Sequence, residues 1–237
     1  MLGAGRPEVG DGGGKGESMI HPASQATRST VSSDPYVFFM SYARTPLKGA
    51  RSRKDPSDVA LEQFHAQLCS DIMQLTDHDG EESPGFLDLS MDPGDDWESR
   101  LKQALATCRV FVPIYNSRYF KREWCGREWD AFARRQEEQL RTRPYTGNAI
   151  VPVLWVGHQH LTLPLSTAAK VQYAHPDLGK DYLQSGLYGL KQAGRHLKYR
   201  SSVWTLAQMI VKVAQQTSLE PCDVELFKDL RNVFEGE

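Results

Sequence analysis

Short apolar runs, separated by stretches whose apolar residues recur at helical spacing, constrain this chain more than any other feature of its sequence. Tyr36-Val-Phe-Phe-Met-Ser41 is aromatic and β-branched and reads as a strand buried on both faces. From Asp55 the period changes. Leu61, Phe64, Leu68, Ile72 and Leu75 form one helical stripe, with Asp55 as N-cap and Pro56 at the first helical position. Gly85-Phe-Leu-Asp88 is the second strand, ending on a carboxylate, and Pro93-Gly94 in the next loop suits the centre of a type II turn. Trp97, Leu101, Ala104, Leu105 and Cys108 return to helical spacing, and Arg109-Val-Phe-Val-Pro-Ile-Tyr115 gives a third strand. A long helix over 117–140 and a fourth strand over 149–156 follow, with a weaker fifth strand expected near Val171-Gln-Tyr173. Val203, Leu206, Ala207, Ile210 and Val213 give a closing helix, and Leu226, Phe227, Leu230, Val233 and Phe234 suggest a short extra one. Pro113 and Pro152 lack a ladder donor and are expected at a sheet edge or strand end.

This alternation predicts an α/β fold, a parallel sheet with helices on both faces, because parallel crossovers are right-handed and need covering helices. In such folds ligands bind beyond the carboxyl ends of the strands, where the strand order reverses. Function is therefore expected in the loops after Ser41, Asp88, Tyr115 and Val156.

Composition narrows the classes. The 237 residues carry 28 Lys+Arg against 30 Asp+Glu, a near balance that gives no whole-chain attraction for nucleic acid or anionic lipid. The first 34 residues hold 7 of the 19 glycines and none of the aromatic residues, so 1–34 is expected to be a disordered Gly/Ser-rich tail. The domain is expected over 35–216, with 217–237 as a C-terminal helical extension. The longest apolar run, Tyr36 to Met40, is far from the ~18 residues of a membrane span, and the N-terminus lacks a signal-peptide core, so a cytoplasmic protein is expected. Cys69, Cys108, Cys125 and Cys222 lie far apart and read as reduced thiols; His158 and His160 lack a third ligand, so no metal is expected.

Two clusters can carry chemistry. The loop after the first strand holds Arg44, Lys48, Arg51, Arg53 and Lys54, which either grip a diphosphate or form a solvated basic loop. On the long helix, Trp124 and Glu128 stand four residues apart and share a face. A carboxylate beside an aromatic wall in a dry cleft can steady a cationic sugar centre, the alternative being a solvated Glu and a core Trp. Ser41, Ser117 and Cys125 lack a nucleophile-elbow context, and no Rossmann or P-loop glycine fingerprint is present.

From about Tyr36 to Gln216 the chain resembles a Toll/interleukin-1 receptor (TIR) domain. Phe38-Phe-Met-Ser-Tyr-Ala43 matches the first box. Gly85-Phe-Leu-Asp88 with Pro93-Gly94 and Trp97 matches the second strand and the BB loop, and Arg109 to Phe120 followed by Trp124-Cys-Gly-Arg-Glu128 matches the third box. More narrowly, Cys108-Arg-Val-Phe-Val-Pro113 and Cys125-Gly-Arg-Glu-Trp129 look like the bacterial TIR-like FxsC group.

The resemblance implies a flavodoxin-like five-stranded sheet of order 2-1-3-4-5 and two possible activities. One is cleavage of NAD+ at the nicotinamide glycosidic bond, with NAD+ as substrate and no cofactor. Glu128 is then catalytic, Trp124 shapes the pocket wall, Phe39 and Ser41 line the base site, Arg51 and Arg53 meet the diphosphate, and Asp88 and Trp97 complete the substrate site. The other is a non-catalytic adaptor role, by self-association or binding of other TIR domains through the BB loop, 89–96, with Trp97 anchoring it. A third reading, a metabolic nucleotide-binding flavodoxin-like protein, fits the architecture but none of the boxes. The long loop after Ser41, Arg127 and Trp129 around the glutamate, and the added material from Tyr173 to Tyr199 depart from the family pattern and bear on pocket closure and specificity.

Overall fold

The computed structural model describes residues 36–45, 55–78, 83–87, 95–144 and 147–236, without the side chains of 95–97. By its contacts the chain divides into Met1–Ser32, which lies outside the described residues, and Ser33–Glu237. The second unit holds β1 (Phe38–Ser41), α1 (Pro56–Leu75), β2 (Gly85–Leu87), α2 (Asp95–Thr107), β3 (Val110–Tyr115), α3 (Glu123–Thr142), β4 (Val153–Leu154), α4 (Gly179–Gln192) and α5 (His196–Thr217). All pairings are parallel and the order is β2-β1-β3-β4. The order therefore reverses between β1 and β3, which opens the crevice above Ser41 and Tyr115.

Local chemistry explains these elements. Asp55 caps α1 by accepting from the Ser57 amide at 2.7 Å, with proline in the first turn, as its sequence position implied. β1 and β3 are buried along their whole length, as their continuous apolar runs require. Pro113 and Pro152 both fall at the interruption between the Phe111–Ile150 bridge and the Ile114–Val153 pairing, where the ladder asks for no donor.

Three elements differ from the sequence expectation. The fifth strand is absent among the described residues, and Val171 follows a single 3-10 turn, Ala168–Lys170. The edge of β4 is instead closed by α4: the Leu154 amide donates to the Tyr182 hydroxyl at 2.8 Å and the Tyr188 amide donates to the Trp155 carbonyl at 2.9 Å. The helix expected over 117–140 is split, a 3-10 turn at Tyr119–Lys121 preceding α3. Arg122 is extended between them, and the Asn116 side chain starts the turn by accepting from the Arg118 amide. The C-terminal extension is not an α-helix. It forms one 3-10 turn, Val224–Phe227, and then a strap in which Asp229 has φ 55°. Side chains of α3 satisfy its backbone in place of helical bonds: Arg134 donates to the Lys228 and Asp229 carbonyls, and Asp130 accepts from the Arg231 amide.

α4 reaches β4 through a kink at Gly186, whose φ is 64°. A Cβ there would stand 2.6 Å from the Trp155 carbonyl group. Gly186→Ala therefore meets both left-handed strain and a backbone clash, and is expected to cost about 2–3 kcal/mol, read as a lower urea midpoint at unchanged m. A loss below about 0.5 kcal/mol would mean that α4 is not held this tightly.

Candidate active site

Glu128 lies on the second turn of α3 and is 6 % exposed. Its Oε2 accepts a short hydrogen bond from Ser41 Oγ at the carboxyl end of β1, and Ser41 Oγ lies 2.7 Å from the Tyr119 hydroxyl. A serine hydroxyl has one hydrogen, and here it goes to the carboxylate, so Tyr119 must be the donor to Ser41. The result is a directed chain, Tyr119 O–H to Ser41 O–H to Glu128, with two hydroxyl dipoles aimed at one buried carboxyl group. Burial foremost, then Cys125 and Glu128 nearby, holds the Tyr119 hydroxyl well above its ordinary value, so it stays a donor. Burial and then the Glu128 charge push the Cys125 thiol up in the same way, which makes it a neutral neighbour and not a nucleophile.

Glu128 lines a hollow of about 330 Å³. Trp124 and Arg127 of α3 share that lining, facing Glu98 and Lys102 of α2, with Phe227 and Asp229 of the strap closing a third side. The shared face expected for Trp124 and Glu128 is thus present. The Arg127 guanidinium sits 5.9 Å from the Trp124 ring centroid and pairs with Glu123, while Trp129 turns inward against Phe111. A hollow of this size lies at the small end of ligand sites, which run from about 300 to 1,000 Å³.

The other expected site residues fare differently. Ser41 is the direct partner of Glu128. Phe39 is a core residue, stacked between its register partners Phe86 and Phe111, and is not among the described residues lining the hollow: it shares the face of Ser41 but lies deeper along β1. Arg51, Arg53 and Asp88 lie outside the described residues, as does most of the BB loop; Asp95 and Asp96 open α2, and Trp97 is described in its backbone alone. Two cations that the sequence reading passed over do reach the loop leaving β1. Arg118 donates to Thr45 Oγ1 at 3.0 Å and Arg122 to the Arg44 carbonyl at 3.5 Å. Tyr119 was also missed as a polar partner, since it reads as one more aromatic in an aromatic stretch. Its pairing with Ser41, 78 positions away, has no local signal.

Alternative chemistries find little support. Cys69 Sγ lies 3.6 Å from His65 Nε2, but burial pushes that thiol up and the imidazole down to about 4, so the pair stays neutral. Among the described residues no three His, Cys, Asp or Glu side chains gather as a metal set, and no helix is long and apolar enough to cross a membrane.

Comparison with known proteins gives two findings. Among solved structures, the TIR domains of the activated Roq1 resistosome directly recognizing the pathogen effector XopQ are matched at 16 % identity and a TM-score of 0.32, over 76 % of this chain and 95 % of that one. No curated protein matches. The sequence profile of the TIR domain family matches residues 65–183, about half of the chain, spanning β2, α2, β3, α3 and Glu128. The chain belongs to the TIR domain family.

Proposed function

We propose that this protein is a TIR-type NAD+ glycohydrolase, working in the cytoplasm in signalling or defence and activated by self-association. The observation that carries the reading is the buried Glu128 carboxylate, held by Ser41 and lining a hollow walled by Trp124. In NAD+ the leaving group is a cationic pyridinium. When the bond from ribose C1′ to nitrogen breaks, its electron pair neutralises that nitrogen, and nicotinamide departs without a general acid. Positive charge is left on the ribose as an oxocarbenium-like centre. A fixed carboxylate that exchanges no water during the reaction stabilises that centre more than it stabilises bound NAD+. Water then adds at C1′ and gives up a proton, yielding ADP-ribose. Trp124 offers a ring face to the nicotinamide, and the hollow suits the nicotinamide riboside half.

The diphosphate is assigned to arginines at the β1 exit, Arg118 and Arg122 joining the expected Arg51 and Arg53. The N-terminus of α1 is a poor alternative, since the Asp55 carboxylate already takes the Ser57 amide there. Replacing Arg118 and Arg122 together by Ala is expected to weaken NAD+ binding about tenfold at low salt and less at 0.5 M salt, measured by calorimetry. An affinity unchanged at both salts would remove them from the site.

Self-association or pairing with other TIR domains through the BB loop, 89–96, belongs to the same proposal, as does the narrower likeness to the bacterial FxsC group. The test is nicotinamide release from NAD+ by purified protein, followed across protein concentration and with a crowding agent. Release that rises faster than protein concentration supports both halves of the reading. No release in any assembly state leaves a non-catalytic interaction module.

A further inference from the structure

The strap that follows α5 is fastened to α2 and α3 by hydrogen bonds along its length. Arg135 donates to the Leu219 and Glu220 carbonyls where the strap leaves α5, and the Cys222 amide donates to the Ala106 carbonyl of α2. Farther along, the Arg134–Asp130 ion pair, 2.7 Å, grips the strap backbone from both sides, as a donor to residues 228 and 229 and an acceptor from 231. Phe234 is then buried against Tyr119, Phe120 and Trp129, with ring centroids 5.9, 5.2 and 5.8 Å away. The Asn232 side chain accepts from the Phe234 amide and fixes that last turn.

Gly126 gives the second, independent observation. It stands inside α3, where glycine costs about 1 kcal/mol relative to alanine. A Cβ at this position would lie 1.9 Å from Asn232 Oδ1 and 3.2 Å from the Asn232 Cα. The helix therefore carries a notch that the strap fills, two residues before Glu128. The strap also walls the Glu128 hollow through Phe227, Asp229 and Leu230.

We propose that the C-terminal strap, seated in the Gly126 notch, is a positioning element of the Glu128 site: Phe234 fixes the Tyr119 ring, and Tyr119 through Ser41 fixes the Glu128 carboxylate. This deepens the glycohydrolase reading and rests on it for its kinetic consequence, while the geometry stands without it. Phe234 does not line the Glu128 hollow, and of its ring contacts the one with Tyr119 leads through Ser41 to the carboxylate. A loosened Tyr119 would let Ser41 turn away, and a displacement of about 1 Å at a catalytic group costs about 10²-fold in rate.

The test uses the full chain with Gly126→Ala and Phe234→Ala, and Phe234→Tyr as the conservative replacement. Phe234 also borders a hollow of about 590 Å³ with Asn116 and Lys121, which gives an added hydroxyl room. Three readouts are taken: amide hydrogen exchange over 222–236, the ¹³C resonance of the Glu128 side-chain carboxyl, and kcat and KM for nicotinamide release. For both Ala variants the expected result is faster exchange over 222–236, a shifted Glu128 carboxyl resonance, and kcat lower by about 10²-fold at a KM within about twofold. Phe234→Tyr is expected to restore all three. Should Gly126→Ala fail to fold, Arg134→Ala loosens the same segment from outside the helix. If exchange over 222–236 rises while the Glu128 resonance and kcat stay at wild type, the strap is packing alone and the proposal is overturned. If exchange in Gly126→Ala is unchanged, the notch is overturned. A wild type that releases no nicotinamide removes the glycohydrolase reading, and the carboxyl resonance then decides the strap's role by itself.

Discussion

Glu128→Gln is expected to lower nicotinamide release by about 10³-fold without lowering the thermal midpoint. The amide keeps the shape of the side chain and can still accept from Ser41, so packing around it is preserved. What disappears is the negative charge facing the ribose as it becomes cationic, and a preorganised electrostatic partner in a water-poor site is worth about 3–4 kcal/mol to the transition state. Stability is not expected to fall, because a buried carboxylate gives way to a neutral group that needs less solvation. Ser41→Ala provides the graded comparison. It leaves the charge but removes the hydrogen bond that aims it, about 1.5 kcal/mol, and lets the carboxylate shift, so release should fall by about 10²-fold, as when Ser41 turns away. Single-turnover rates at saturating NAD+ separate the two. A Glu128→Gln enzyme within about threefold of wild type would show that this carboxylate does not face the reacting sugar.

Arg135→Met carries the largest expected effect on stability, about 3–5 kcal/mol. Arg135 is 1 % exposed, and its acceptors are backbone carbonyls: Leu105 at 2.8 Å, Cys108 at 2.5 Å, Leu219 at 3.4 Å and Glu220 at 2.7 Å. One planar fork thus closes the carboxyl end of α2, the entry to β3 and the first turn of the strap. Such carbonyl ends carry partial negative charge, which is what a buried cation needs in place of a carboxylate. Methionine fills the volume but takes the guanidinium donors from those carbonyls, and orphaned buried acceptors cost about 1–3 kcal/mol each, less where the strap can open to water. Urea denaturation should show a midpoint drop at unchanged m; a loss under about 1 kcal/mol would mean that water replaces the guanidinium at little cost.

Much of the sheet was legible because its signals are local. Continuous apolar runs at Phe38 and at Val110 marked strands buried on both faces, and Asp55-Pro56 marked where α1 begins. The site was legible only in part. Trp124 and Glu128 could be placed on one face because helical spacing is a short-range rule. The resemblance placed Phe39 at the site with Ser41, and two positions along a strand do keep one face, but Phe39 lies deeper along β1, where its register partners Phe86 and Phe111 stack on it. α4 went unread because Gly186 interrupts its period with a left-handed residue, a cue that makes sense only once the Trp155 backbone is beside it. The fifth strand and the C-terminal helix failed for a related reason. Tyr182 covers the edge that another strand would have paired with, and Arg134 with Asp130 offers the strap better partners than its own helix would.

By itself the sequence determined the parallel α/β alternation, the cap of α1, the shared helical face of Trp124 and Glu128, and the family to which the boxes point. All of these depend on periodicity or on residues a few positions apart. Tertiary structure alone decided that Glu128 is held by Ser41 and Tyr119, that α4 closes the sheet, and that a strap fills the notch at Gly126. Those contacts join residues from 28 to 106 positions apart. Hydrogen bonds and close packing between such distant segments depend on where the whole chain has folded, and no local pattern encodes them.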